Sequence, residues 1–137
     1  MRRPPGVNCT KMNEAGLFQM ITRLEEAFRE GGTKGLQRFW IEQILKKPDV
    51  LKRLHRDCYL PFLIGKVREL IAPQEERDDP DHTISSRHYW GMQLASAIWC
   101  KMNGQGGNHS MRETDPHEQV MAELVRDTVE HIKVDED

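Results

Sequence analysis

The apolar residues of this chain recur every three or four positions, the interval that places them on one face of an α-helix. Leu17, Ile21, Leu24 and Phe28 show this interval first, and it returns in the later apolar segments. We find no stretch in which apolar and polar residues alternate convincingly as in a half-buried strand. The sequence therefore predicts an all-α protein, a compact bundle of five to six short amphipathic helices.

Glycine and proline divide the first half of the chain into four predicted helices. Gly31-Gly32 stops the first helix, and Pro48 and Pro61 each suit the first turn of a new one, because the proline ring fixes φ near the helical value. The boundaries fall at about 13–30, 33–47, 48–59 and 61–71. The next segment, 74–81, carries five acidic residues beside Pro73 and Pro80, and we expect a solvated loop there.

The fifth predicted helix, at about 85–103, is apolar around most of its axis. Leu94 lies on one side of it, and Met92 and Trp99 lie on another. A helix of this kind usually sits at the centre of a fold, so we predict a central apolar helix. The alternative is that Trp99, Met92 and Met102 form a surface for a partner, left exposed in the monomer.

The last predicted helix has the clearest start signal in the sequence. Asp115, Pro116 and Glu118 fit the N-cap, N1 and N3 positions of a capping box. One face of the helix is apolar up to Ile132, and the opposite face is acidic. We expect the apolar face to pack inward, with docking onto another protein as the alternative.

The chain is about the length of one domain. With 137 residues, 37% of them apolar, it can bury a core without disulfides or metals. We expect a flexible N-terminal arm at 1–12, a single helical domain at 13–132 and an acidic tail at 133–137.

Charge is sorted along the chain. The middle, 34–68, holds nine basic and three acidic residues, whereas the end, 113–137, holds nine acidic and two basic ones. In the third helix the basic side chains lie opposite the apolar ones. Two further basic residues come directly before Pro48. This basic stripe consists of Lys46, Lys47, Lys52, Arg53 and Arg56. We expect it to meet either a partner or an acidic part of this chain, namely its acidic end or the 74–81 segment, in the same or a neighbouring molecule.

Motifs of catalysis and cofactor binding are missing from the sequence. It has no phosphate-binding loop, no dinucleotide fingerprint, no nucleophile elbow and no HExxH pair, so we assign no catalytic residue and no cofactor. Cys9, Cys58 and Cys100 are odd in number and far apart, and no leader or membrane-spanning segment is evident. Reduced thiols, and hence an intracellular protein away from membranes, are the simplest interpretation.

A metal site is the one chemical alternative that the spacing allows. His55 and Cys58 are three positions apart, so both could reach one zinc ion. The remaining ligands would come from His82, His88, Cys100 or His109. A small buried thiol on the apolar side of the third helix, beside a half-exposed imidazole, explains the pair without metal, and we assign no metal ligand.

Two short resemblances concern the second and third helices. The run from Ile44 to Leu51 resembles the helical hairpin of the small pairing domains in cell-polarity scaffold proteins, which implies pairing with another helical domain. The chain departs from that pattern at Asp57, where the family commonly has histidine, and its second half has no counterpart, so we assign no family. The segment from Leu54 to Cys58 is similar to the LxxxC core of elongin-recruiting boxes, with leucine and cysteine at the same spacing.

These observations predict a non-enzymatic protein–protein interaction domain, adaptor or regulatory in role. Its partner is expected to be another protein or a second copy of itself, bound through the basic stripe and through Trp99, Met92 and Met102. The alternative is a nucleic-acid-binding protein that contacts the RNA or DNA backbone through the stripe at 46–56.

Overall fold

The computed structural model of this protein describes residues 14–105 and 110–134, and these residues form helices joined by short turns, without a strand. The expected all-α fold class is confirmed. The predicted arm at 1–12, Cys9, His109 and the end of the acidic tail at 135–137 lie outside the described residues. The helices are α1 (Glu14–Trp40), a π-helical turn (Ile41–Leu45), α2 (Pro48–Arg56), α3 (Leu60–Ile71), α4 (Gln74–Arg77), α5 (Pro80–Met102) and α6 (Pro116–His131).

The predicted break at Gly31-Gly32 is confirmed as a sharp kink within α1. Gly32 has φ 62° and ψ −152°, a conformation that glycine adopts without the steric cost of a Cβ atom. The second arm of α1 folds back on the first, since the Arg23 guanidinium lies 5.1 Å from the Phe39 ring centroid and Arg23 Nη2 donates to Gln43 Oε1 at 3.4 Å. The first two predicted helices are thus the arms of one helical hairpin.

The second arm does not continue to Lys47 as a regular helix. Its last turn is wider, because the Lys46 amide donates to the Ile41 carbonyl, five residues back, at 2.8 Å. Ile44 and Leu45, at the end of this wider turn, are both buried.

The prediction of a solvated loop at 74–81 is wrong. Gln74–Arg77 is a short helix, and α5 begins at Pro80 instead of near residue 85. Asp79 caps α5 by accepting a hydrogen bond from the His82 amide at 3.4 Å, with Pro80 in the first turn. Glu76, counted among the solvated acids, is instead buried against Arg68.

The centre of the bundle is α3, which is buried around most of its axis and packs most extensively against α5. The two helices approach closely, since a Cβ atom at Gly91 would lie 3.1 Å from the Pro61 carbonyl oxygen. Trp90 and Leu94 on the inner side of α5 are fully buried. The expectation that α5 is enclosed is wrong for its outer side, because α3 and α6 cover only the inner one.

The start of α6 is as predicted, because Asp115 Oδ1 accepts a hydrogen bond from the Glu118 amide at 2.9 Å. Its apolar face closes the core, and Thr128 Oγ1 accepts a hydrogen bond from the indole Nε1 of Trp40 at 2.9 Å. At the other end, Lys101 Nζ donates to the Val129 carbonyl at 2.6 Å. None of the helices within 14–105 and 110–134 is long and apolar enough to cross a membrane.

Candidate interaction surfaces

The outer face of α5 is a continuous stripe of exposed side chains. They lie within an arc of about 80° on a helix that turns about 100° per residue. We call this the α5 face, and it consists of Ile84, His88, Met92, Ala95, Trp99 and Met102. Its length is about 27 Å at a rise of about 1.5 Å per residue.

The α5 face is unusually apolar for an exposed surface. Ile84, Met92 and Trp99 each remain 54–57% exposed, and Met102 is 38% exposed. Single exposed apolar side chains are ordinary on a protein surface, but a contiguous patch is typical of an interaction site. All three predicted interface residues, Trp99, Met92 and Met102, lie on this face. The other two tryptophans, Trp40 and Trp90, are fully buried and belong to the core.

A groove runs beside the α5 face, between α5 and the start of α3. It has a volume of about 390 Å³, and Phe62, which is 54% exposed, stands on its α3 side opposite Met92 and Ala95. Gly65 and Gly91 line the groove where the two helices approach closely, since a Cβ atom at Gly65 would lie 2.7 Å from Arg87 Cγ and one at Gly91 would lie 3.1 Å from the Pro61 carbonyl oxygen. Phe62 was not predicted as an interface residue, because the apolar residues of the predicted helix at 61–71 do not show which of them face solvent.

Arg87 lines this groove and is paired with an acidic neighbour. Arg87 Nη1 lies 3.0 Å from Glu69 Oε2, and Lys66 Nζ lies 2.8 Å from Glu69 Oε1. Burial alone would raise the pKa of Glu69, but the hydrogen bonds and charges of Lys66 and Arg87 outweigh it, so the pKa of this carboxyl is lowered. Apart from Arg87 and His88, the side chains that line the groove are apolar.

The basic stripe is also exposed, at each of its five residues. Lys46, Lys47, Lys52 and Arg53 form no ion pair with any acidic side chain that the structure describes, and Arg56 Nε lies 3.9 Å from Asp57 Oδ1. The expected contact between the stripe and α6 is therefore not formed within the described residues.

The acidic face of α6 points to solvent instead of toward the basic stripe. Arg126 Nη2 pairs with Glu113 Oε2 at 2.7 Å, and this hydrogen bond lowers the pKa of Glu113. Glu123 and Glu130 are exposed. The sequence could not settle this point, because the placement of α2 relative to α6 depends on how α2 packs on the π-helical turn and how α6 packs on α5, α3 and α1.

The expected burial of Cys58 is wrong. Helix α2 ends at Arg56, and Cys58 follows it with φ 62° and an exposed side chain, while the Tyr59 amide closes the helix by donating to the Leu54 carbonyl at 2.9 Å. His55 is half-buried, and burial lowers its pKa. Because Leu54 is fully buried, the elongin-like pattern is not presented to a partner.

The histidines and cysteines named as metal ligands do not converge where the structure shows them. His82, His88 and Cys100 are spread over about five turns of α5, and His109 is not described. Among the described residues, no three His, Cys, Asp or Glu side chains are grouped closely enough to bind a metal ion.

A polar cleft lies between α4, the start of α5 and the segment before α6. At its base Arg68 Nη2 pairs with Glu76 Oε1 at 2.5 Å, and His82 Nε2 lies 3.5 Å from the same oxygen. On the other wall Arg112 Nε pairs with Glu118 Oε2 at 3.0 Å. This network was not predicted, because its members come from segments that are distant in the sequence, and the sequence pattern does not show which of them meet.

Comparison with known proteins identifies no relative of this chain. No family model matches the chain, and no curated protein and no solved structure shows significant similarity to it. Its function must therefore be argued from its own surfaces.

Proposed function

We propose that this protein is a non-enzymatic interaction domain, adaptor or regulatory in role, that binds another protein through the α5 face and its groove. The observation that carries the proposal is the exposure of Ile84, Met92, Trp99 and Met102 on one helical face. The apolar centre of a protein interface is rich in Trp and Met and poor in charge, as this face is. A helix face of this kind suits an apolar helix of the partner.

Site-specific photo-crosslinking tests the proposal. A photoreactive residue replaces Met92 in one variant and Phe18 in a matched control, since Phe18 is 71% exposed but lies on α1. We expect discrete protein adducts from position 92, lost when Trp99→Asp is added, and none from position 18. Equal adducts from both positions, or adducts that survive Trp99→Asp, would contradict the proposal.

The open basic stripe supports a second candidate, binding to the backbone of RNA or DNA. Its exposed cations could contact several phosphates, with an affinity that falls steeply as salt rises. We expect Lys52→Glu, Arg53→Glu and Arg56→Glu together to abolish such binding in a gel-shift assay. The matched control reverses Arg29, Lys34 and Arg38, which are exposed on α1. Binding that is indifferent to salt, or equally sensitive to both triple variants, rules this candidate out.

A further inference from the structure

We propose that a second copy of this chain occupies the α5 face, in an antiparallel two-fold pairing that inserts Trp99 of each copy into the groove of the other. The inference rests on the interaction function proposed above and specifies its partner.

The spacing of the face suits pairing with itself. Positions 88, 92, 95, 99 and 102 of the face follow alternating steps of four and three, the spacing of a coiled-coil seam. In an antiparallel pair with its axis between residues 93 and 94, Met92 meets Ala95 and Trp99 meets His88. Met92 and Trp99 thus each meet a smaller side chain, so the helices can approach closely.

The same register brings Trp99 to the groove. His88 lines the groove together with Phe62, Gly91 and Arg87. Its volume of about 390 Å³ is in the range of small ligand pockets and has room for one aromatic side chain. The Phe62 ring offers an aromatic contact, and the Arg87 guanidinium a cation–π contact. A two-fold axis makes this insertion twice, once in each direction.

Charge and area agree with a weak homodimer. Between Ile84 and Met102 the α5 face carries no carboxylate, lysine or arginine, so two identical faces meet without like-charge repulsion. The start of α3 packs at Gly91, so α3 flanks only the first half of the face, and the surface is on the order of 400 Å² per copy. A total of about 800 Å² is typical of weak, transient interfaces, so we expect a dimer that dissociates readily.

Sedimentation equilibrium on the full chain tests the dimer. We expect a concentration-dependent dimer whose dissociation constant rises at least about 30-fold in Trp99→Asp, the effect of a hot spot of about 2 kcal/mol. Phe18→Asp, which also places a carboxylate at an exposed aromatic position, should leave it unchanged. Ala95→Glu is a second test, since glutamate suits an exposed helical site and would bring two carboxylates together at the axis. Circular dichroism checks that each variant folds.

Disulfide trapping tests the register, in a background with Cys9, Cys58 and Cys100 replaced by serine. A mixture of Met92→Cys and Ala95→Cys chains should form the mixed dimer on oxidation. Ile84→Cys should not link to itself, because antiparallel pairing separates the two sites by roughly 27 Å. Efficient Ile84→Cys homodimers, or a wild-type chain that stays monomeric at roughly 0.5 mM, would overturn the inference. If the chain is a monomer but still forms Trp99-dependent adducts with another protein, the homodimer is wrong and the proposed function stands. If neither the dimer nor the adducts form, both the homodimer and the proposed function are wrong.

Discussion

At the scale of single residues, Arg68 and Glu76 are a charged pair that the fold takes almost completely out of water. They remain only 2% and 4% exposed, and their side chains meet at 2.5 Å. Arg68 Nε, Arg68 Nη1 and Glu76 Oε2 have no further hydrogen-bond partner among the described residues. Removing one member would leave the other charge buried alone, which costs far more than the pair itself contributes.

Glu76→Leu should therefore lower the free energy of unfolding by about 3–5 kcal/mol. The double variant Arg68→Met, Glu76→Leu should recover most of that loss, because two apolar side chains replace two desolvated charges. Urea denaturation of the two variants and the wild type measures both effects. Equal destabilisation of the single and double variants would show that the pair does not act through its charges.

His55 should make stability fall between neutral and mildly acidic pH. Burial lowers its pKa from the usual 6.5, so the unfolded chain binds a proton before the folded one does. The contribution of neutral His55 is complete above the unfolded pKa and is lost as pH falls through 6.5 toward the lower folded value. Urea midpoints at several pH values should show a smaller fall in His55→Gln than in wild type. An unchanged profile would assign the pH dependence to other groups.

At the scale of helices, the pair aspartate-proline begins two helices, but only one of those helix starts was predicted. Asp115-Pro116 predicted the start of α6, and Asp79-Pro80 is the same pair at the start of α5. The acidic residues around Asp79 suggested a solvated loop, but a capping aspartate followed by proline fixes a helix start whatever the nearby charge. The start of α5, and with it the position of Ile84 on the α5 face, was therefore predictable from the sequence.

Other features of the helices depend on packing between distant segments. The wide turn at Ile41–Leu45 and the left-handed conformation of Cys58 have no signal in the local sequence that predicts them. The sequence identified Met92, Trp99 and Met102 as exposed candidates only as an alternative to burial. It could not choose, because a helix that is apolar all round has no intrinsic inner side.

The kink in α1 gives a prediction in which two adjacent glycines respond with opposite sign. Gly32→Ala should destabilise the protein by about 1 kcal/mol or more, since φ 62° is costly for a residue with a Cβ atom. Gly31→Ala should instead stabilise it by about 0.5–1 kcal/mol, because a Cβ atom there meets nothing within 4 Å. Thermal unfolding of both variants measures the difference. Equal changes in stability for the two variants would argue against a kink at Gly32.

At the scale of the whole molecule, the charge sorting in the sequence resolves into separate surfaces. The basic stripe stays open, α6 keeps its acidic side in solvent, and the largely uncharged α5 face lies on another element. Composition and periodicity predicted the all-α class and the helix faces. The separation of these surfaces follows from the packing of α1, α3 and α6, which a one-dimensional pattern does not encode.

The hydrogen bond between Trp40 and Thr128 is the link that ties the first helix to the last. Thr128→Val keeps the shape of the side chain but leaves a buried indole N–H without its partner, so the free energy of unfolding should fall by about 1–3 kcal/mol. Thr22→Val is the matched control, since Thr22 is exposed on α1, and it should change stability by less than about 0.5 kcal/mol. Urea titration compares the two, and equal losses would refute a specific role for the bond.

The hydrogen bond between Trp40 and Thr128 also limits how early the protein can finish folding during its synthesis. Trp40 and Thr128 are separated by 88 residues in the chain. At synthesis rates of about 5–20 residues per second, the ribosome needs roughly 4 to 18 s to pass from one to the other. Through that interval the apolar surface that α6 will cover stays open on the nascent chain, which makes it a natural binding site for chaperones that act during translation.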